Sequence, residues 1–329
     1  MITYILKRVG MMIPTLVIIS MISFAIIQLP PGDYLTSYAA NLRQEGDMVD
    51  QEELEMLARR YGLGQPVYVQ YAKWITGIVL RGDWGQSMEW RKPVKDLIWD
   101  RMALTVFLSL ISILVSWFVA IPVGVFSATH QYSIPDYLFS AMSFIGAGTP
   151  GFLIALVVMW VAMRQFGLNV GGLFSDEYLV APWSWARVID LLKHIWIPVV
   201  VIALGSTAGS IRTTRANVLD ELNKPYVETA RAKGLKERKL NWKYPVRVAM
   251  NPFFSTVGWT LASLISGQTL VAVVLSLQTT GPMMLRALTS QDMYLAGSFL
   301  LLLSSLTVLG TLISDVLLAW VDPRIRIGG

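Results

Sequence analysis

Lys224-Pro225-Tyr226-Val227-Glu228-Thr229-Ala230-Arg231-Ala232-Lys233-Gly234 sits at the centre of a basic stretch, 212–247, flanked by segments almost free of charge. The stretch holds ten Lys or Arg (Arg212, Arg215, Lys224, Arg231, Lys233, Lys236, Arg238, Lys239, Lys243, Arg247) against four acids (Asp220, Glu221, Glu228, Glu237). A polar excursion of this length between two hydrophobic segments belongs outside a bilayer, and its cationic excess puts it on the cytoplasmic face. Locally it reads as a helix. Pro225 suits a first helical position, Glu228 complements the positive end of the helix dipole, Ala230 and Ala232 favour helix, and Gly234 stops it.

Working outward, the rest of the chain is apolar. Of its 329 residues 54% are hydrophobic and 15% charged, against roughly 25% charged in soluble domains. The formal charge of +5 comes from cations beside hydrophobic segments, which points to anionic lipid headgroups and away from nucleic acid. The absence of Cys excludes disulfides and thiolate metal sites. His130 and His194 have no partners at ligand spacing, so no metal is expected.

Apolar runs predict six membrane spans, at 9–32, 102–128, 137–163, 195–211, from 248 onward and 293–320. Lys7 and Arg8 before the first and Arg324 and Arg326 after the last place both termini in the cytoplasm. The run after Met1–Arg8 is too long for a signal core and fits a first span. Three domains are expected: 1–32, the tail and first helix; 33–100, a small external subdomain; and 101–329, the core with five helices and the basic loop. In the second, Gln51 to Tyr61 and Pro66 to Leu80 read as helices, with a turn at Gly82 and Gly85. The third span carries Gly146-Ala147-Gly148-Thr149-Pro150-Gly151 in its middle. Such a cluster leaves backbone groups unpaired, which suits either close packing of small residues or the lining of a path. Thr149, Pro150, Gln268, Thr269 and Ser276 are the uncharged candidates for that lining. An external re-entrant segment is expected near Gln278-Thr279-Thr280-Gly281-Pro282, and the tryptophans Trp183, Trp185 and Trp196 mark the outer interface. Asp315 is the one acid within a span, either functional or reaching water at the inner end. No phosphate loop, nucleophile elbow or zinc-protease helix occurs in the sequence, so neither ATP binding nor hydrolysis is expected of this chain.

Blocks along nearly the whole chain resemble the permease subunits of ABC importers, in particular the B-type membrane subunit of the oligopeptide/dipeptide/nickel class. Pro30-Pro31-Gly32-Asp33 is similar to that family's P-G-D. Gly62-Leu63, Pro66, Gln70-Tyr71 and Trp74 resemble its G-L-x-x-P and Q-Y-x-x-W. Gly82-Asp83, Gly85 and Ser87 resemble G-D-x-G-x-S, and Pro93-Val94 with Ile98, Arg101 and Thr105 fits the next block. Tyr226-Val227 with Thr229-Ala230-Arg231-Ala232-Lys233-Gly234-Leu235 is similar to Y-V-x-T-A-R-A-K-G-L, and Asp322-Pro323-Arg324 with Arg326 to D-P-R-x-R. The sequence departs at Tyr244 and Val248, where the family has His and Asn, and at Thr279-Thr280-Gly281-Pro282, where it has P-G-x-G.

The resemblance implies an all-α integral membrane protein of the bacterial or archaeal cytoplasmic membrane. It implies a coupling helix formed by Tyr226, Val227, Glu228, Thr229, Ala230, Arg231, Ala232, Lys233, Gly234 and Leu235. The implied partners are a second homologous permease, two cytoplasmic ATPases that carry the ATP and Mg, and an external substrate-binding protein. No cofactor is implied in this chain, and no enzymatic activity. Oligopeptides or similar solutes are the implied cargo, with oligosaccharides as the alternative within the class. An ion-coupled secondary transporter is the alternative from another class, and it leaves the basic helix unexplained.

Overall fold

A computed structural model describes residues 2–28, 55–56, 59, 65–87, 89–167, 170–179, 181–290 and 292–321. The expected helix at 51–61 lies largely outside these residues. So do the Pro30–Asp33 and Gly62-Leu63 blocks and the basic C-terminal tail. Among the described residues the fold is almost wholly helical, with one isolated antiparallel bridge between Gln86 and Pro93. Thirteen α-helices follow in order among the described residues. They are α1 (Ile2–Gln28), α2 (Val67–Arg81), α3 (Val94–Thr129), α4 (Ile134–Gly148), α5 (Gly151–Phe166), α6 (Trp185–Leu222), α7 (Pro225–Ala232), α8 (Glu237–Lys243), α9 (Pro245–Ala249), α10 (Asn251–Gly267), α11 (Thr269–Val274), α12 (Thr280–Thr289) and α13 (Met293–Val321). Four are long and apolar enough to cross a membrane, and six crossings result if two bent pairs each count as one: α4 with α5, bent by 103°, and the segment Glu237–Ala249 with α10, bent by 45°.

Helix limits differ from the expected ones where hydropathy is blind to them. α3 begins at Val94, so its first two turns are polar (Lys95, Asp96, Asp100, Arg101). α6 starts at Trp185 and runs 38 residues, through the first third of the basic stretch. Nothing between Gly209 and Pro225 breaks a helix, so the change in polarity at Arg212 marks an end of burial and no end of structure. The third span breaks where its Gly/Pro cluster lies: Thr149 takes an extended conformation (ψ 122°) and Pro150 is the N-cap of α5.

The chain divides into two units. One comprises Ile2–Leu104 and Thr279–Leu309. Here α2 packs on α1 through Phe24, whose ring meets Tyr71 at 5.6 Å and Trp74 at 5.5 Å, with Leu301 completing the cluster. Ser20 and Tyr71 share a 2.7 Å hydrogen bond. Past α2 the chain turns on two positive-φ glycines, Gly82 and Gly85, and the following loop is fastened by one carboxylate. Asp292 is fully buried. It accepts from Ser87 Oγ (2.5 Å), the Glu89 amide (3.2 Å) and the Leu295 amide (3.3 Å), so it clasps the loop and caps α13 at once. Arg286 adds an ion pair to Glu89 at 2.7 Å.

The other unit comprises Thr105–Gln278 and Gly310–Gly329. Small residues set its close approaches. A Cβ on Gly124 would lie 2.8 Å from Thr214 Cγ2. A Cβ on Gly310 would lie 2.8 Å from Gly258 Cα, and the Gly258 amide donates to Ser314 Oγ at 2.7 Å. Trp183, Trp185 and Trp196 are exposed, as an interfacial ring requires. Arg187 lies between the Phe174 and Trp183 rings, 4.7 and 4.6 Å from their centres, and buried Asp190 accepts from the Ser175 amide and hydroxyl.

The α10–α13 crossing is the tightest of these, which makes it directly testable. Gly258→Val should push the two helices apart at a cost of about 1–3 kcal/mol or more, read as a lower thermal unfolding midpoint of the purified protein. A midpoint equal to wild type would mean that the two glycines do not meet.

Candidate functional site

Helix α7 presents two faces. Val227 and Ala230 are buried and pack on fully buried Leu240 of α8, with Leu235 and Tyr244 against the same cluster. Tyr226, Glu228, Thr229, Arg231, Ala232, Lys233 and Gly234 are exposed. An eight-residue helix is too short to be stable alone. This one is held by its apolar stripe and by its ends. Glu228 occupies the first turn, and Thr229 Oγ1 donates to Pro225 O at 2.9 Å.

The C-terminal stop is a Schellman motif. Leu235 N donates to Ala230 O (3.4 Å), Gly234 N donates to Arg231 O (3.0 Å), and Gly234 has φ +76°. Leu235 also packs back on the buried cluster, the apolar contact this motif carries. A Cβ at Gly234 would meet no atom within 4 Å. Its glycine is therefore required by backbone conformation and not by crowding. Two polar ties hold α7, one to α8 and one to the end of α6. Arg231 grips Glu237 through two bonds, Nε–Oε1 at 2.6 Å and a second nitrogen to Oε2 at 3.3 Å, and the Tyr226 hydroxyl donates to Glu221. Burial, then the neighbouring Glu221 carboxylate, pushes the Tyr226 phenol above its ordinary pKa, so the hydroxyl keeps its proton and remains a donor.

Beneath α7 and α8, α9 returns along the polar end of α6. Val246 and Ala249 join Val218, Val125 and Ala128 in one buried cluster drawn from α9, α6 and α3, and Asn217 donates to Ala249 O at 3.3 Å. The start of α4 is tied to the same block. Asp136, 2% exposed, receives Arg215 Nε at 2.8 Å, a second Arg215 nitrogen at 2.9 Å and the Tyr132 amide at 3.0 Å. A bidentate, buried pair of this kind is geometrically restrictive. The sequence reading passed over it, although Ser133-Ile134-Pro135-Asp136 carries the marks of a helix start: an N-cap serine, an early proline and a first-turn acid.

Of the five residues proposed to line a path, four lie at helix breaks. Thr149 and Pro150 separate α4 from α5, Gln268 separates α10 from α11, and Thr269 is the first residue of α11. The two breaks belong to elements that touch, since a Cβ on Gly151 would stand 3.2 Å from Val271 Cγ2. Gln268 Nε2 is buried and has no hydrogen-bond partner among the described residues. Ser276 lies past the far end of α11, exposed and in the left-handed region at φ +52°. No group of metal-ligating side chains occurs among the described residues.

The block under α7 depends on Asp136. Arg215→Gln strands a buried carboxylate and should cost about 3–5 kcal/mol, whereas pairing it with Asp136→Asn should restore much of that loss. Thermal unfolding of the two single variants and the double variant measures this, and singles equal to wild type would remove the pair from the account.

Two family models match the chain. One, described as a binding-protein-dependent transport system inner membrane component, covers residues 120–327; the other, its N-terminal counterpart, covers residues 1–109. The chain is similar to the oligopeptide transport system permease protein AppB of Bacillus subtilis, at 35% identity over 99% of this chain and 100% of that protein. It is similar at 29% to the dipeptide transport system permease protein DppB of Escherichia coli K12, over 99% of each. At 28% it is similar to the peptidoglycan transport system permease protein YejB of Agrobacterium fabrum, over 98% of this chain and 97% of that protein.

Proposed function

The chain belongs to the family of inner-membrane components of binding-protein-dependent transport systems, and on that premise we propose that it forms half of the translocation path of an ABC importer for oligopeptides or similar solutes. The cargo class follows the relatives, two of which are named for oligopeptide and dipeptide transport. A third is named for peptidoglycan transport, which keeps oligosaccharide-bearing solutes as the second reading. In this account a second, similar permease completes the path, an external binding protein delivers the solute, and two cytoplasmic ATPases supply the ATP and Mg chemistry that this chain lacks. Six crossings with both termini cytoplasmic place 33–100 outside as a subdomain and 212–247 inside.

One observation carries the reading: an eight-residue helix anchored by Val227 and Ala230 and otherwise exposed. Its outer face offers Tyr226, Glu228, Thr229, Arg231 and Lys233 to a groove on an ATPase. The stop at Gly234 and Leu235 sets where that face ends. Movement of the helix passes through α8 and α9 to α6, α3 and α4, and along α10 to the paired breaks at Thr149-Pro150 and Gln268-Thr269. Those breaks and Ser276 are the candidate lining of the path. They are uncharged, so they hold a solute weakly enough to release it. An ion-coupled transporter would have no use for such a helix.

Gly234→Val places a β-branched residue in a left-handed conformation at a cost of roughly a kcal/mol or more, in open space. Insertion and expression should survive. Uptake by the reconstituted complex should fall sharply, and ATPase stimulation by loaded binding protein should be lost or cease to track uptake. Transport at the wild-type rate would exclude α7 as the coupling element.

Orientation has its own test, because a chain without cysteine gives no labelling background. Single cysteines at the exposed positions Lys92 and Glu177 should react with an impermeant thiol reagent applied outside intact cells, and one at Lys236 only after permeabilisation. External labelling at 236 would invert the topology.

A further inference from the structure

Helix α6 exposes opposite sides along its length. At about 100° per residue, Trp196, Val200 and Leu204 share one side of its outer half, and all three are exposed. Thr207, Thr214 and Val218 continue that side and are buried. On the opposite side the order is reversed. Ile195, Pro198 and Ile202 are buried there, whereas Gly205, Arg212, Thr213 and Ala216 are exposed and Gly209 is half-buried. The change falls at Gly205.

The two exposed sides differ in chemistry. The outer one is large and apolar, as contact with lipid tails requires; the inner one is small and polar. A Cβ on Gly205 or Gly209 would meet no atom within 4 Å, so the inner side is an open groove. Helix α4 runs along its edge: a Cβ on Gly146 would stand 3.1 Å from Ala208 Cβ, close to the break at Thr149. At the cytoplasmic end of the groove the Arg212 guanidinium lies over the Phe144 ring, 5.3 Å from its centre. Arg215, one turn on, is held by Asp136; Arg212 makes no ion pair among the described residues. Asp220, on the same side of α6, stands eight residues further, about 12 Å along the axis. Glycines alone would suit a packed partner helix. A cation among them calls for water, because ionisable groups in a crossing face a wet cavity or a partner charge.

We propose that this groove lines the inner part of the solute path, with Arg212 as the cation that meets the carboxylate of a passing peptide. The assignment rests on the transport reading and extends its path inward from the break at Thr149, through Gly205 and Gly209, to Arg212. The glycines leave room and select no side chain. Arg212 selects a charge that every unblocked peptide carries at its C-terminus. Because Arg212 is exposed, its attraction is screened by water and salt, so it guides a carboxylate without trapping it.

Single cysteines in native membranes, opened to reagent from both sides, test this. Charged methanethiosulfonates should modify Gly209→Cys and Thr213→Cys about tenfold faster or more than Val200→Cys and Leu204→Cys, since the attacking thiolate forms only in water. Equal rates at all four would mean that a partner chain or lipid covers the groove, and would overturn the path face. At Thr213→Cys, adding Arg212→Gln should lower the ratio of anionic to cationic reagent rates roughly threefold or more. It should leave the rate with the neutral methyl reagent unchanged, and Arg212→Lys should keep the original ratio. An unchanged ratio in Arg212→Gln would remove Arg212 from the site. Millimolar dialanine should protect Thr213→Cys at matched ionic strength, dialaninamide should not, and Arg212→Gln should abolish the protection. Equal protection by the amide, or none by dialanine, would overturn the carboxylate assignment. These rates need neither ATP nor binding protein, so their outcome is separable from the coupling defect expected of Gly234→Val.

Discussion

A backbone amide or carbonyl left unpaired in hydrocarbon costs several kcal/mol, and that constraint governs the whole arrangement. The described residues answer it with helices almost everywhere. Where it breaks a helix inside an apolar region, the broken ends lie against other protein. The 103° bend at Thr149-Pro150 brings the start of α5 onto α11, close to the second break at Gln268. Each break is thus sheltered by the element that carries the other. Breaks maintained in this way are places where two short helices can shift without exposing backbone to lipid.

In the proposed coupling, transmission to those breaks would rest on a small number of tight contacts. The hairpin of α7 and α8 is stiffened by a glycine stop, a two-bond Arg231–Glu237 grip and an apolar plug of Val227, Ala230 and Leu240. From there the path is bonded without a gap: α9 clusters with α6 and α3, Gly124 lets Thr214 approach, and Asp136–Arg215 ties α4 to α6. A surface ion pair such as Arg231–Glu237 adds little stability. Its worth is geometric, since it fixes the angle at which the exposed face of α7 is offered. The buried Asp136–Arg215 pair differs, because losing either partner is costly and the joint cannot loosen gradually.

Local chemistry was legible in the sequence, and long-range pairing was not. Pro225, Glu228 and Gly234 gave the limits of α7 within two residues, including the left-handed glycine, because each acts on its own turn. Gly82 and Gly85 gave the turn after α2 for the same reason. Asp136 and Arg215 are 79 residues apart and Ser87 and Asp292 are 205 apart. No periodicity connects such partners, and a lone acid in an apolar chain looks the same whether it is solvated or clasped. The helix limits that hydropathy missed, at Val94 and Leu222, fall where a helix passes from apolar to polar surroundings. There the breakers Pro93 and Pro225 were the better guide. Gln268, chosen only as an uncharged residue in an apolar run, proved to stand at a break with a buried, unmet amide.

The central claim is that the outer face of α7 meets an ATPase. A single cysteine at Thr229, which is exposed on that face, carries a short photoactivatable cross-linker in native membranes. Mass spectrometry of the product should identify a protein with a G-x-x-x-x-G-K-[ST] phosphate loop, joined near its nucleotide domain, and the yield should change when ATP is trapped. Cross-links from Thr229 only to lipid or to other membrane chains, while a cysteine at Lys92 behaves no differently, would contradict the account.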